Sequence, residues 1–120
     1  MPGNPSFLSL YLLNNALDRL LPIGMDKIEN HALQLTDLLW QGVAEQGWEM
    51  MTPAPREERA GNVCIMSDRV DAVAAALRKH SILVWGTYAG DARLRISTHV
   101  YNTTDDVRAC VSALATVKPA

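Results

Sequence analysis

The stretch from Arg93 to Thr103 reads Arg-Leu-Arg-Ile-Ser-Thr-His-Val-Tyr-Asn-Thr and holds the densest set of ligand-binding side chains in the chain. Strand alternation places Leu94 and Ile96 on one side and Arg95 and Ser97 on the other, with His99 joining them if the strand runs that far. A guanidinium presents a planar fork of donors that matches a carboxylate or a phosphate. A hydroxyl and an imidazole beside it would complete an anion site. The alternative is a solvated strand face that leads into a helix cap at Thr103.

Other reactive residues are dispersed. His31 falls on a long helical pattern, and His80 falls at the end of another, where it meets the helix dipole favourably. No His, Cys, Asp or Glu set has metal-ligand spacing. Cys64 and Cys110 sit in apolar stretches far apart and read as reduced core thiols. Asp68, Asp71, Asp105 and Asp106 read as first-turn helix residues. Trp40, Trp48 and Trp85 read as core or interface. Gly86 to Gly90 is a turn without the grammar of a phosphate cradle.

These residues need elements to position them. Ser6 to Leu21 is helical and apolar nearly all round, from Phe7, Leu8, Leu10, Tyr11, Leu12 and Leu13 to Ala16, Leu17 and Leu20; Ser6 caps it and Pro22 ends it. Such a helix wants a second surface to cover it. Met25 to Gln46 is a second helix with Ile28, Ala32, Leu35, Leu39 and Val43 in one stripe, closed by Gly47. Short strands follow at Trp48–Met51, Asn62–Met66, Ile82–Trp85 and Ala92–Ser97, with a proline-containing charged loop over Thr52–Gly61. Helices cover Asp68–His80, capped by Ser67 or Asp68, and Thr103–Val117, capped by Thr103. The expected fold is α+β: about four strands, mostly antiparallel, with helices on one face, preceded by two N-terminal helices. One domain spans residues 1–120, with the helices over about 6–46 and the α+β part over about 47–117.

Composition bounds the function. The 120 residues are 48% apolar and 20% charged, which suits one globular domain rather than a disordered chain. Net charge is −2 and the 11 cationic side chains are scattered, so no nucleic-acid surface is expected. No apolar run reaches the roughly 20 residues of a membrane span, and no basic segment precedes the first apolar stretch as in a signal peptide. A cytoplasmic protein is expected.

Arg95-x-Ser97-x-His99-x-Tyr101-Asn102-Thr103, followed by Asp105-Asp106, resembles the C-terminal signature of class V pyridoxal-phosphate enzymes: aminotransferases, cysteine desulfurase-like proteins, isopenicillin-N-epimerase-like proteins and kynureninase. Gly3-Asn4-Pro5 before a long apolar helix, Ala16-Leu17-Asp18 through Ile23-Gly24-Met25, and the strand at Val63–Met66 agree in order. The resemblance covers nearly all of this chain and only the C-terminal minority of a usual member. It implies an aminotransferase small-domain fold in which Arg95 holds the α-carboxylate of an amino-acid substrate. It implies that Ser97, His99 and Asn102 shape this side of the site or hold the strand-to-helix turn. It places Asn4, where many relatives carry threonine, near the cofactor phosphate of a neighbouring subunit.

The family joins pyridoxal phosphate to a lysine of its large domain. Lys27, Lys79 and Lys118 are the only lysines here, and none stands in the Ser-x-His-Lys-like context the family uses. The resemblance therefore implies that the chain alone binds no cofactor and carries out no catalysis. The alternative is a free-standing binding or assembly module, a truncated gene product with a vestigial carboxylate site. In either case the apolar first helix calls for a partner, and a homodimer through the N-terminal helices is expected.

Overall fold

The computed structural model describes residues 4–86 and 92–117, so most of the expected Gly86–Gly90 turn lies outside the described residues. Helix α1 spans Phe7–Leu20, and the Ser6 hydroxyl accepts the Ser9 amide at its start. Helix α2 spans Met25–Glu45. Gly24, at φ +92°, turns the chain between them, and Gly47, at φ +82°, closes α2 in the left-handed region where a Cβ is costly. Then follow a 3-10 turn at Arg56–Glu58, strand β1 (Asn62–Met66), helix α3 (Val70–Arg78), strand β2 (Trp85–Gly86), strand β3 (Arg93–Ser97) and helix α4 (Thr104–Ala115).

The described strands form one antiparallel sheet in the order β1-β3-β2. Val63 and Ile65 of β1, with Leu94 and Ile96 of β3, point into the core. Leu35, Leu39 and Val43 of α2, Val73 and Leu77 of α3, and Val107, Cys110 and Leu114 of α4 bury against the same cluster. Helices α2, α3 and α4 thus cover one face. The opposite face carries the exposed Asn62, Arg93, Arg95 and Ser97.

Three strands stand where about four were expected. The Trp48–Met51 segment lies along β1 but makes only an isolated bridge, Met50 to Ile65. Beyond it the Cys64 amide donates to the Thr52 hydroxyl (2.7 Å) rather than to a backbone carbonyl, and Pro53 has no amide to continue a ladder. The strand expected at Ile82–Trp85 is displaced to Trp85–Gly86. Ser81 takes a left-handed φ of +61°, and the Ile82 amide still donates to the Leu77 carbonyl (3.1 Å) at the end of α3. Helix α3 is capped at Arg69 without a side-chain bond; Ser67 instead accepts the Arg69 amide just before it.

Helix α1 buries none of its residues. Phe7 is 74% exposed and Tyr11 72%. The Cα radius of gyration is 16.8 Å, against about 13.6 Å for a compact chain of this length. The excess reflects a helix that projects from the core.

Candidate functional site

Arg95 lies mid-way along β3 on the face without helices. Its cross-strand partners are Cys64 of β1 and Trp85 of β2. Arg95 is exposed, and among the described residues it has no hydrogen-bond or ion-pair partner. Ser97 follows on the same face and ends the strand. His99 does not continue the row, because the strand stops before it; its ring stacks on Tyr101 at 5.2 Å.

The turn from His99 to Thr103 is closed by its own side chains. The His99 amide donates to the Asn102 Oδ1 (2.9 Å), and the Asn102 amide donates to the His99 carbonyl (2.9 Å). His31 of α2 donates from Nε2 to the Asn102 carbonyl at 3.0 Å, since a carbonyl can only accept. Thr103 and Asp106 form a reciprocal capping box at the start of α4. The Thr103 backbone amide, then the Thr103 hydroxyl, and the Asn102 side chain hold the Asp106 carboxyl below the usual carboxylate range. Thr98 ties the end of β3 to the loop before β1, donating from its amide (2.8 Å) and hydroxyl (3.1 Å) to the Gly61 carbonyl. His31, which the sequence places only on a long helical pattern, fastens this turn to the helical layer.

A hollow of about 390 Å³ opens where β2 fails to continue alongside β3. Ile82, Val84, Ser97, Asn102, Asp106 and Cys110 are among its lining. Ser97 and Asn102 line it, Arg95 and His99 do not, and Arg95 stands on the open sheet face. Burial pushes the Cys110 thiol up to about 11, which fits a core residue.

Asn4 is exposed ahead of α1, on the element that does not pack on the core. Lys27 opens α2 and Lys79 follows α3; both are exposed and neither lines the hollow, and Lys118 lies outside the described residues. A Schiff-base lysine needs a sheltered pocket that lowers its pKa. The described residues of this chain do not by themselves fit pyridoxal phosphate. No group of three or more potential metal ligands occurs among them. A separate cluster fastens the Thr52–Gly61 loop to α2: Asp37 accepts from Arg56 and from Arg59, and Arg59 lies 5.7 Å from the Trp40 ring centroid.

The helix-backed three-stranded sheet and the Arg95-to-Thr103 run define the C-terminal small domain of a class V pyridoxal-phosphate enzyme. The kynureninase C-terminal domain profile matches residues 28–114, and the chain belongs to that family. An uncharacterized aminotransferase, YcbU of Bacillus subtilis, is 27% identical over 113 residues, covering 94% of this chain and 30% of the relative. The apo cysteine desulfurase of Thermococcus onnurineus superposes with a TM-score of 0.88 at 23% identity, covering 98% of this chain and 32% of that one. A cystine C-S lyase superposes with a TM-score of 0.65 at 19% identity over 78% of this chain and 25% of that one. At these identities the structural likeness shows the fold. The chain spans about a third of the length of the relatives it matches.

Proposed function

We propose that this chain is the substrate-side small domain of a pyridoxal-phosphate enzyme, and that it works when a separate cofactor-bearing domain covers α1. In this reading Arg95 holds the α-carboxylate of an amino-acid substrate through paired, charge-assisted hydrogen bonds. His31 and Asn102 keep the adjoining turn in place, with Ser97 and His99 at its border. Cofactor chemistry belongs to the other domain, and this chain alone is not catalytic. The observation that carries the reading is Arg95 itself: exposed, unpartnered among the described residues and inside the signature run. In this reading Asn4, exposed ahead of α1, comes near the cofactor phosphate of a neighbouring subunit. The free thiols of Cys64 and Cys110 favour a reducing compartment, the cytoplasm.

A second reading, a self-associating binding module with a vestigial carboxylate site, is favoured by the exposure of α1. Both readings keep Arg95 as the anion contact. Titrating the 120-residue chain with L-alanine, followed by amide and guanidinium NMR shifts, tests it. Arg95→Ala should weaken binding by about tenfold or more, the value of a charge-assisted bond. Arg95→Lys should recover part of it, because an ammonium keeps the charge and loses the fork. Binding that Arg95→Ala leaves unchanged overturns the assignment.

A further inference from the structure

We infer that the hollow between β3 and the 82–84 segment is a ligand site for a compact cyclic amide, held by the backbone of Ser97. The site makes no use of Arg95 or of a carboxylate, so it lies beyond the reading above. The phase of the hydrogen bonds along the sheet sets it. On β1 the Cys64 carbonyl accepts the Met51 and Thr52 amides, and the Met66 amide donates to the Glu49 carbonyl, so both residues turn backbone groups away from β3. Val63 and Ile65 turn theirs toward β3, where they face Ile96 and Leu94. Alternation along β3 then directs the backbone N–H and C=O of Arg95 and Ser97 the other way, toward β2.

Arg95 meets Trp85 there. Two residues further, the same register would pair Ser97 with Leu83. Strand β2 begins only at Trp85, and among the described residues no hydrogen bond joins Leu83 to Ser97. The Ile82 amide donates to the Leu77 carbonyl instead, which holds this segment to the end of α3. Leu83 is 79% exposed. The Ser97 amide and carbonyl are left facing the gap, side by side as in any extended residue.

That gap is the hollow of about 390 Å³, a size that suits a small ligand. Ile82, Val84, Ile96, Val107 and Cys110 give it apolar walls. Three polar residues of its lining are engaged elsewhere: Thr98 with the Gly61 carbonyl, Asn102 with the His99 amide and Asp106 with Thr103. An amide locked in a ring carries its C=O and N–H on one edge. It can accept from the Ser97 amide and donate to the Ser97 carbonyl, the two bonds that Leu83 leaves unmade. An apolar ring behind that edge matches the walls. A carboxylate has no donor for the Ser97 carbonyl, which separates this site from the Arg95 contact.

The test is an NMR titration of the 120-residue chain with the benzo-fused lactam isoquinolinone and, separately, with its N-methyl derivative. Shifts are read at the Ser97 amide and at the Val84 and Val107 methyls. Isoquinolinone should move all three together, and the N-methyl derivative should bind about fivefold more weakly, the loss of one hydrogen bond. Ser97→Pro removes an amide that faces away from β1, and should weaken isoquinolinone by a similar factor with the far-ultraviolet spectrum unchanged. If that variant unfolds, the two ligands on the unmodified chain still decide the matter. Equal binding of the two overturns the site, since apolar contact alone would then explain it. Strong exchange protection of the Ser97 and Leu83 amides in the free chain also overturns it, because β2 would then close the gap itself. Shifts confined to the leucines of α1, or no shift at millimolar ligand, overturn it too. None of these results bears on Arg95, which the L-alanine titration tests separately.

Discussion

Helices α1 and α2 are neighbours in sequence and opposites in packing. The first has 14 residues, a Ser6 cap and leucines around most of its circumference, yet buries none of them. The second has 21 residues and no side-chain cap, yet buries Leu35, Thr36, Leu39 and Val43. A good cap and many apolar side chains do not by themselves seat a helix; a matching surface must be present. For α2 that surface is supplied by the sheet and α4. For α1 nothing within the described residues supplies it, and the proposed reading puts it on another domain.

The largest expected effect sharpens this contrast. Leu39 is fully buried, and Leu39→Ala should destabilise the chain by about 3 kcal/mol through lost transfer energy and a residual cavity. Leu12 is 58% exposed, and Leu12→Ala should change stability by less than about 0.5 kcal/mol. Urea unfolding of the two variants, at concentrations low enough to disfavour association, measures both. Equal costs would break the comparison, since α1 would then be packed as α2 is.

A smaller effect separates capping from burial. Helix α4 opens with the Thr103–Asp106 box, whereas α1 has no acidic residue in its first turn. The Asp106 carboxyl is held below its ordinary value of 3.8 by Thr103 and Asn102. A lowered folded-state pKa means its contribution is present above the unfolded value and is lost as pH falls through the folded one. Amide protection at Thr103 and Asp106 should therefore decline on acidification below the ordinary carboxylate range, and Asp106→Asn should remove that dependence. Protection at Ser9 in the α1 cap should not follow the same titration. Hydrogen exchange across this pH interval reads both caps.

The helices were legible because their signals are local. Ser6, Gly47 and Thr103 mark ends, and a 3.6-residue period marks the buried stripe of α2. Strand pairing depends on distant partners. The apolar run at Ile82–Val84 reads as a strand, but the chain there is still wrapping the end of α3. Trp48–Met51 reads the same way, but its ladder is cut short by Thr52 and Pro53. In the candidate site, the alternation around Leu94 and Ile96 correctly puts Arg95 and Ser97 on one face. The end of the strand at Ser97 is not legible in the sequence; His99 joins the row only if the strand runs that far, and it stops short. His31 was invisible as a partner of Asn102, because 71 residues separate them in sequence.

The account holds that α1 is written for a surface outside this chain. Light scattering of the 120-residue protein at micromolar concentration tests that most directly. Phe7, Leu8, Tyr11 and Leu12 are each more than half exposed along one helix face, and soluble monomers usually keep such apolar patches small. The predicted mass is at least twice 13.2 kDa, a self-associated form in which each α1 covers another, and Leu8→Ser with Leu12→Ser should return it to the monomer. A clean monomer mass for the unmodified chain, with α1 still helical, would contradict the account.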